Sequence, residues 1–306
     1  MPDPDPIAPT TQDTLRRVTV VVNPERGELA DDLLAALADD PFEVDVRRLA
    51  DAADLHREVR DAADLGASVI AAVGGDGTQR TAAGALRGSS SSLAVVPGGT
   101  VNLLGKVLGI EDVQDAAEAI RSGRTRAFDV GLVDDDPFVM TATTGYDAAV
   151  IHDVDDGAKR FGLAGYLGTG IRRLRRDRPR PVTVHVDGRS EFRSRAMSVL
   201  IANIAQRGSA RFEVAPEAEP DDGRLDVVVL RCATLPGMLR AGAALLRGRA
   251  PDPDDVVYFQ GRSVEVRWRG PMWSQRDGDD TGRGTTFRYG IDPDRVTLCV
   301  GKHPTA

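Results

Sequence analysis

Residues 71–86, AAVGGDGTQRTAAGAL, decide the fold. Val69, Ile70, Ala71, Ala72 and Val73 make an apolar run of strand length. Gly74, Gly75 and Gly77 interrupt it, and Thr78 leads into an alanine-rich helix. A strand that turns through glycines into a helix gathers unpaired N–H groups and the positive end of a helix dipole at one point, where an anion can approach closely. Asp76 stands inside that loop and would repel a bare phosphate, which implies a bridging Mg²⁺ or an ordered water network. These are the features of a nucleoside triphosphate site in a form other than the P-loop, whose G-x-x-x-x-G-K-[ST] pattern is absent. A tight strand–helix turn with an incidental Asp fits the same residues, and this stretch alone leaves both readings open.

A second loop of the same kind follows. Leu93–Val96 is apolar, and PGGTVN at 97–102 leads into LLGKVLGI. Pro97 sets the turn, Gly98 and Gly99 clear space, Thr100 can cap the helix or bond a phosphate, and Asn102 closes the motif. Upstream, RVTVVVNP (17–24) ends in Asn23-Pro24 before another helix. Three such loops belong at the carboxyl ends of neighbouring parallel strands, where open α/β sheets bind ligands.

With VVNP, GGDGT and PGGTVN in order, followed by FDVGLVDDDPFVMTATTGYDAAV (128–150), ARFEVAPEAEPDDGRLDVVVL (210–230) and WSQRDGDD (273–280), the chain resembles the diacylglycerol kinase catalytic family. The resemblance runs from about Arg17 to Val300; GGDGT alone also occurs in NAD kinases. It implies an ATP- and Mg²⁺-dependent lipid kinase with the nucleotide in a cleft between two halves. The nucleotide-binding residues are then Asn23, Gly74, Gly75, Asp76, Gly77, Thr78, Gly98, Gly99, Thr100 and Asn102. The resemblance further implies a structural Mg²⁺ on Asp222 with carbonyls near Glu219 and Arg224; a plain Asp-Gly turn is the alternative there. The family's base lies in a D-G-E motif, which reads Asp277-Gly278-Asp279 here, so Asp279 is the expected base and Asp76 the expected metal-organising acid. Thr81 stands where a glutamate is usual, Leu103 follows Asn102 in place of an aspartate, no threonine matches near Leu49–Asp51, and the usual triple glycine reads Gly208-Ser209-Ala210. These departures keep a second class open: a nucleotide- or lipid-binding protein on the same scaffold without phosphotransfer.

Alternating strands and Ala/Leu-rich helices over 17–126 predict an α/β domain with a parallel sheet, and short β segments over 127–306 predict an antiparallel β-rich domain. Residues 1–16 read as a disordered lead-in. No run approaches the ~18 apolar residues of a membrane span. The net charge of −8 argues against nucleic acid as a partner, and Cys232 and Cys299 fit neither a disulfide framework nor a metal spacing. A cytoplasmic protein is expected. The basic, amphipathic segment 159–180 would give peripheral contact with the inner face of the membrane if its arginines meet anionic lipid; a helix packed on the second domain is the other reading. The resemblance carries homodimerisation as a further expectation.

Overall fold

The computed structural model describes residues 16–154, 163–206, 213–232, 234–247 and 249–305. The lead-in, the start of the basic segment and Gly208-Ser209-Ala210 lie outside the described residues. In the first half, strands β1 (Arg16–Val22), β2 (Phe42–Arg48), β3 (Val69–Gly74) and β4 (Ser92–Pro97) pair in parallel in the order β2-β1-β3-β4. β3 is buried at every residue, as expected of a strand covered on both faces, whereas β2 carries its charges on the open edge. Helices α1 (Gly27–Leu37) and α5 (Val113–Ser122) pack together, as do α2 (Leu55–Asp64) and α3 (Asp76–Ala85), and α4 (Leu103–Val107) is a short turn between the layers. β5 (Thr125–Phe128) leads out of this half.

The second half is antiparallel throughout. Its strands are β6 (Gly131–Val133), β7 (Asp136–Phe138), β8 (Thr141–Gly145), β9 (Arg180–Val186), β10 (Arg189–Ala196), β11 (Ser198–Ala202), β12 (Leu225–Leu230), β13 (Val256–Gly261), β14 (Ser263–Arg276) and β15 (Asp279–Ile291). The sheet order is β13-β12-β11-β8-β14-β15-β6-β7, with β9 joining β14 to β10. Val184, Val199, Ile201, Val227 and Val266 fill its inner core. Helices α6 (Tyr146–Asp153), α7 (Leu163–Leu174) and α8 (Leu235–Leu245) are inserted between strands.

Two expectations about strands change. Residues 295–300 were grouped with the second half, but β16 (Val296–Cys299) returns to the first sheet, between β4 and β5. Val296, Leu298 and Cys299 are fully buried in the first core, and a strand's sequence does not record which sheet it joins. Where only short β segments were expected, β14 and β15 are long strands joined by the two-residue turn Asp277-Gly278. Its positive φ angles, 47° and 92°, are those of a type I′ hairpin.

That hairpin is pinned. The fully buried Asp277 carboxylate accepts N–H bonds from Val139 (2.8 Å), Met140 (2.9 Å) and Thr141 (2.8 Å), and its own N–H donates to Thr141 O. Burial pushes its pKa up, while these three bonds pull it back. Asp277→Ala strands three buried donors and is expected to destabilise the protein by about 3–5 kcal/mol. Asp277→Asn, which keeps one acceptor and tolerates positive φ, should cost roughly half of that. Urea denaturation of the two variants checks both values.

Candidate active site

The three loops meet at the carboxyl ends of β1, β3 and β4. Gly98 N–H donates to Gly74 O at 2.9 Å, carrying the β3–β4 ladder into the loops. A Cβ on Gly75 would lie 3.2 Å from Gly99 Cα, and one on Gly99 only 2.8 Å from Gly75 Cα. The glycines were expected to make room for a ligand, yet their first requirement is that two backbones touch. Asn23 accepts the Glu25 N–H (3.1 Å) and donates to Thr78 Oγ1 (3.2 Å), tying the first loop to α3. Arg26 Nε donates to Gly98 O at 2.6 Å and ties it to the second. Asn102 has φ 51° and spends its amide on Gly99, accepting its N–H (2.7 Å) and donating to its carbonyl (2.8 Å). Thr100 lies exposed at the lip.

Asp76 has a structural task beside the expected one. Its Oδ1 accepts the Leu104 N–H at 3.2 Å, capping α4, which has no side-chain cap of its own. Burial raises its pKa, and backbone N–H groups at Leu104, Leu103 and Asn102, with Lys106, oppose that rise. Its carboxylate is therefore short of compensating positive charge.

The two halves face each other at Gly77 and Asp279. A Cβ on Gly77 would lie 3.8 Å from Asp279 Oδ2. That oxygen accepts from Arg80 Nη2 at 2.5 Å, and Arg80 Nη1 reaches Arg276 O at 3.4 Å. Sequence reading brought Asp76 and Asp279 forward but missed Arg26 and Arg80, the cations of glycine loops that contain no lysine; their positions just after VVNP and GGDGT were the available signal. It also missed His152. Asp280, next along the hairpin, accepts from His152 Nδ1 at 2.6 Å in the Nδ1–H tautomer. The His152 ring stacks on Trp273 with centroids 3.4 Å apart, and Arg283 covers the same indole at 5.2 Å. α6 is thereby fastened to the strand that starts at Asp279.

Comparison with known proteins gives this arrangement a family. Residues 17–133 match the diacylglycerol kinase catalytic domain, and residues 140–300 match the YegS C-terminal NAD kinase beta sandwich-like domain. The chain belongs to the diacylglycerol kinase family. It is 27% identical to the diacylglycerol kinase of Bacillus subtilis over 279 residues, covering 88% of this chain and 91% of that one. It is 33% identical to a protein of Pseudomonas aeruginosa named "Probable lipid kinase YegS-like", covering 81% and 82%. A crystal structure of a diacylglycerol kinase from Bacillus anthracis superposes with TM-score 0.71 at 18% identity, covering 94% of this chain and 98% of that one. An NAD kinase from Archaeoglobus fulgidus solved in complex with ATP superposes with TM-score 0.56 at 14% identity, covering 94% of each.

Within the family pattern, two departures acquire local explanations. Thr81 Oγ1 donates to Gly77 O at 3.0 Å and braces the GGDGT turn from inside α3. Leu103 is buried in the first core at the start of α4.

The acidic turn lies at the junction of the halves. Asp129, 1% exposed, accepts from Gly223 N–H (2.6 Å) and pairs with Arg295 Nε (2.7 Å). Arg126 holds Asp221 at 3.0 Å, and that contact lowers the Asp221 pKa. Asp222 Oδ1 accepts the Arg224 N–H at 2.8 Å and Oδ2 accepts from Gln260 at 3.3 Å. Nearby Asp226 is pushed up to about 6, by burial first and then by the charges of Asp222 and Glu217, against a Gln260 hydrogen bond. Its folded value exceeds the unfolded one of about 4, so the folded protein holds an extra proton between those values and stability falls as pH rises from about 4 to about 6, staying lower above it. Asp226→Asn is therefore expected to raise the melting temperature at pH 8, to flatten the slope between pH 4 and 6, and to add up to about 2–3 kcal/mol at pH 8. Calorimetry across that range checks it.

Proposed function

We propose that this protein is an ATP-dependent lipid kinase, transferring a phosphoryl group to the hydroxyl of a diacylglycerol-like acceptor. The observation that carries the reading is the juxtaposition of Gly77 and Arg80, at the head of α3, with Asp279 at the start of β15. A phosphate-type loop and a carboxylate face each other from two halves of the chain, as an in-line transfer from nucleotide to alcohol requires. In this reading residues 17–126 hold the nucleotide and 127–306 the lipid, in a cytoplasmic protein that works at the membrane's inner face.

The residues present suit Mg²⁺–ATP. The Asp76 carboxyl is held up in pKa by burial, which is the signature of a site that gains from a cation. Around it the loops offer backbone N–H groups, the α3 dipole, Arg26 and Arg80. When bound, Mg²⁺–ATP supplies the transferable phosphoryl group and the metal that gathers its charge. Asn23, Gly74, Gly75, Gly77, Thr78, Gly98, Gly99 and Thr100 shape the loop surface that receives the nucleotide, and Asn102 holds that surface in shape through Gly99. Asp279 takes the proton of the acceptor hydroxyl once Arg80 releases it toward phosphate. A second Mg²⁺ on Asp222, with carbonyls near Glu219 and Arg224, would relieve the acid repulsion felt at Asp226.

One observation favours the alternative of a binding protein without phosphotransfer: Arg80 occupies the Asp279 oxygen that would otherwise face the first half. Turnover with labelled ATP, Mg²⁺ and a panel of lipids separates the two readings. Asp279→Asn should slow phosphate transfer by roughly 10²–10⁴-fold with nucleotide affinity retained, and Asp279→Glu should remain active. Asp76→Asn should abolish transfer while the melting temperature moves by only a few degrees, because the amide oxygen still caps α4. Wild-type protein that binds ATP and phosphorylates no lipid overturns the kinase reading.

A further inference from the structure

Helix α8 wears its leucines on the wrong side for a helix whose role is to cover a core. Of Leu235–Leu245, only Gly237 and Ala241 are buried. Ala241 meets Leu200, Val228 and Val256 on the outer face of the second sheet. At 100° per residue, Leu235, Leu239 and Leu246 fall within 40° of one another and nearly opposite Gly237 and Ala241. They are 39%, 64% and 70% exposed. A folded chain that burns no free energy on function would turn those side chains inward and leave alanine and glycine outside, so the stripe is aimed at something beyond the fold.

Charge around the stripe names the partner's chemistry. The nearby acids are engaged: Asp255 by Arg240, Asp254 by Arg231, and Asp252 Oδ1 by the Asp254 N–H. Arg247 and Arg249 are exposed and have no carboxylate partner among the described residues. Among the described residues beside the leucines, two unpaired arginines against the one carboxylate without a cation, Asp252, leave a net positive charge. α7 adds to it from the same side of the sheet. The α6 Asp147 N–H donates to Ser198 Oγ, Ser198 shares a face of β11 with Leu200, and Tyr146 Oη at the start of α6 donates to Gly170 O in α7. α7 exposes Ile171, and its Arg172 and the following Arg175 also have no carboxylate partner among the described residues, whereas Arg173 is committed to Asp153 and Asp177.

We infer that α8 is the bilayer-docking element of this protein: Leu235, Leu239 and Leu246 enter the acyl boundary of an anionic membrane while Arg247 and Arg249 meet its head groups. The inference rests on the lipid-kinase reading for its purpose, since an acceptor with two acyl chains stays in the membrane, but its geometry stands apart from the nucleotide loops. It adds a second contact to the membrane contact expected of the segment 159–180, to which α7 contributes Ile171 and charge. Leucine insertion and arginine pairing act together at such an interface, the first setting residence and the second setting salt dependence.

Vesicle co-sedimentation tests it, using full-length protein with vesicles of phosphatidylcholine alone or mixed with phosphatidylglycerol. Wild type should sediment with the anionic vesicles, and added salt should weaken that binding. The triple variant Leu235→Ser, Leu239→Ser, Leu246→Ser should lose about 100-fold in partition, and Arg247→Glu about 10-fold, with melting temperatures unchanged because the side chains are exposed. A triple variant that binds like wild type overturns the inference, as does a wild type that ignores anionic vesicles. So does a triple variant that changes the hydrodynamic mass while vesicle binding is kept, since the stripe would then be covered by a second copy of the chain. Phosphorylation of a short-chain, water-soluble diacylglycerol is measured alongside. Its absence in wild type counts against the kinase reading alone, and leucine-dependent vesicle binding supports the docking helix whatever that turnover is.

Discussion

The buried carboxylate of Asp277 is the constraint on which the candidate site depends. Three consecutive N–H groups, from Val139 to Thr141, converge on its two oxygens at the point where β7 gives way to β8. No neutral side chain could accept all three with comparable strength, because the bonds are charge-assisted and shielded from water. The clasp locks the β14–β15 hairpin against the segment that enters the second sheet. It thereby fixes Asp279, two residues on, opposite Gly77. His152 and Trp273 brace the hairpin from the other side through Asp280. A carboxylate on a strand end anchored by such a clasp is placed by the fold.

In the first half the equivalent constraint is contact between backbones. Gly75 and Gly99 approach so closely that a side chain at Gly99 would clash and one at Gly75 would press on the facing backbone, and Asn23, Arg26 and Asn102 close the remaining gaps with hydrogen bonds. The resulting surface is rigid, rich in N–H groups and flanked by arginine. Asp76 is the single acid sunk into it, and the energetic cost of burying that charge is offset in part by capping α4. The two arginines also change the electrostatic picture drawn from the sequence. Loops without lysine are not loops without cations, and Arg80 connects the two halves through the Asp279 carboxylate.

Local sequence determined a good deal. Apolar runs ending in glycine at 69–77 and 93–99 could only be buried parallel strands feeding helices, since their lack of alternation excludes a half-exposed strand and their length excludes a helix. The change to short β segments after Ala127 set the antiparallel half, but Asp277-Gly278 was read only as part of a motif, and its positive-φ hairpin geometry came from the structure. The ordered motifs were enough to assign the family and to single out Asp76 and Asp279. What escaped was every relation between segments distant in the chain. β16 joining the first sheet, Arg80 reaching Asp279 across 199 positions, His152 pairing with Asp280, and Asp129 holding the acidic turn have no local signature. Each depends on where two elements are brought together, and that is set by packing summed over both cores. The same is true of α8: its composition reads as an ordinary amphipathic helix, and only the tertiary structure decides that alanine faces the core and leucine faces out. Backbone preference and periodicity are properties of neighbouring residues, so sequence carries them; partner choice is a property of the whole folded chain.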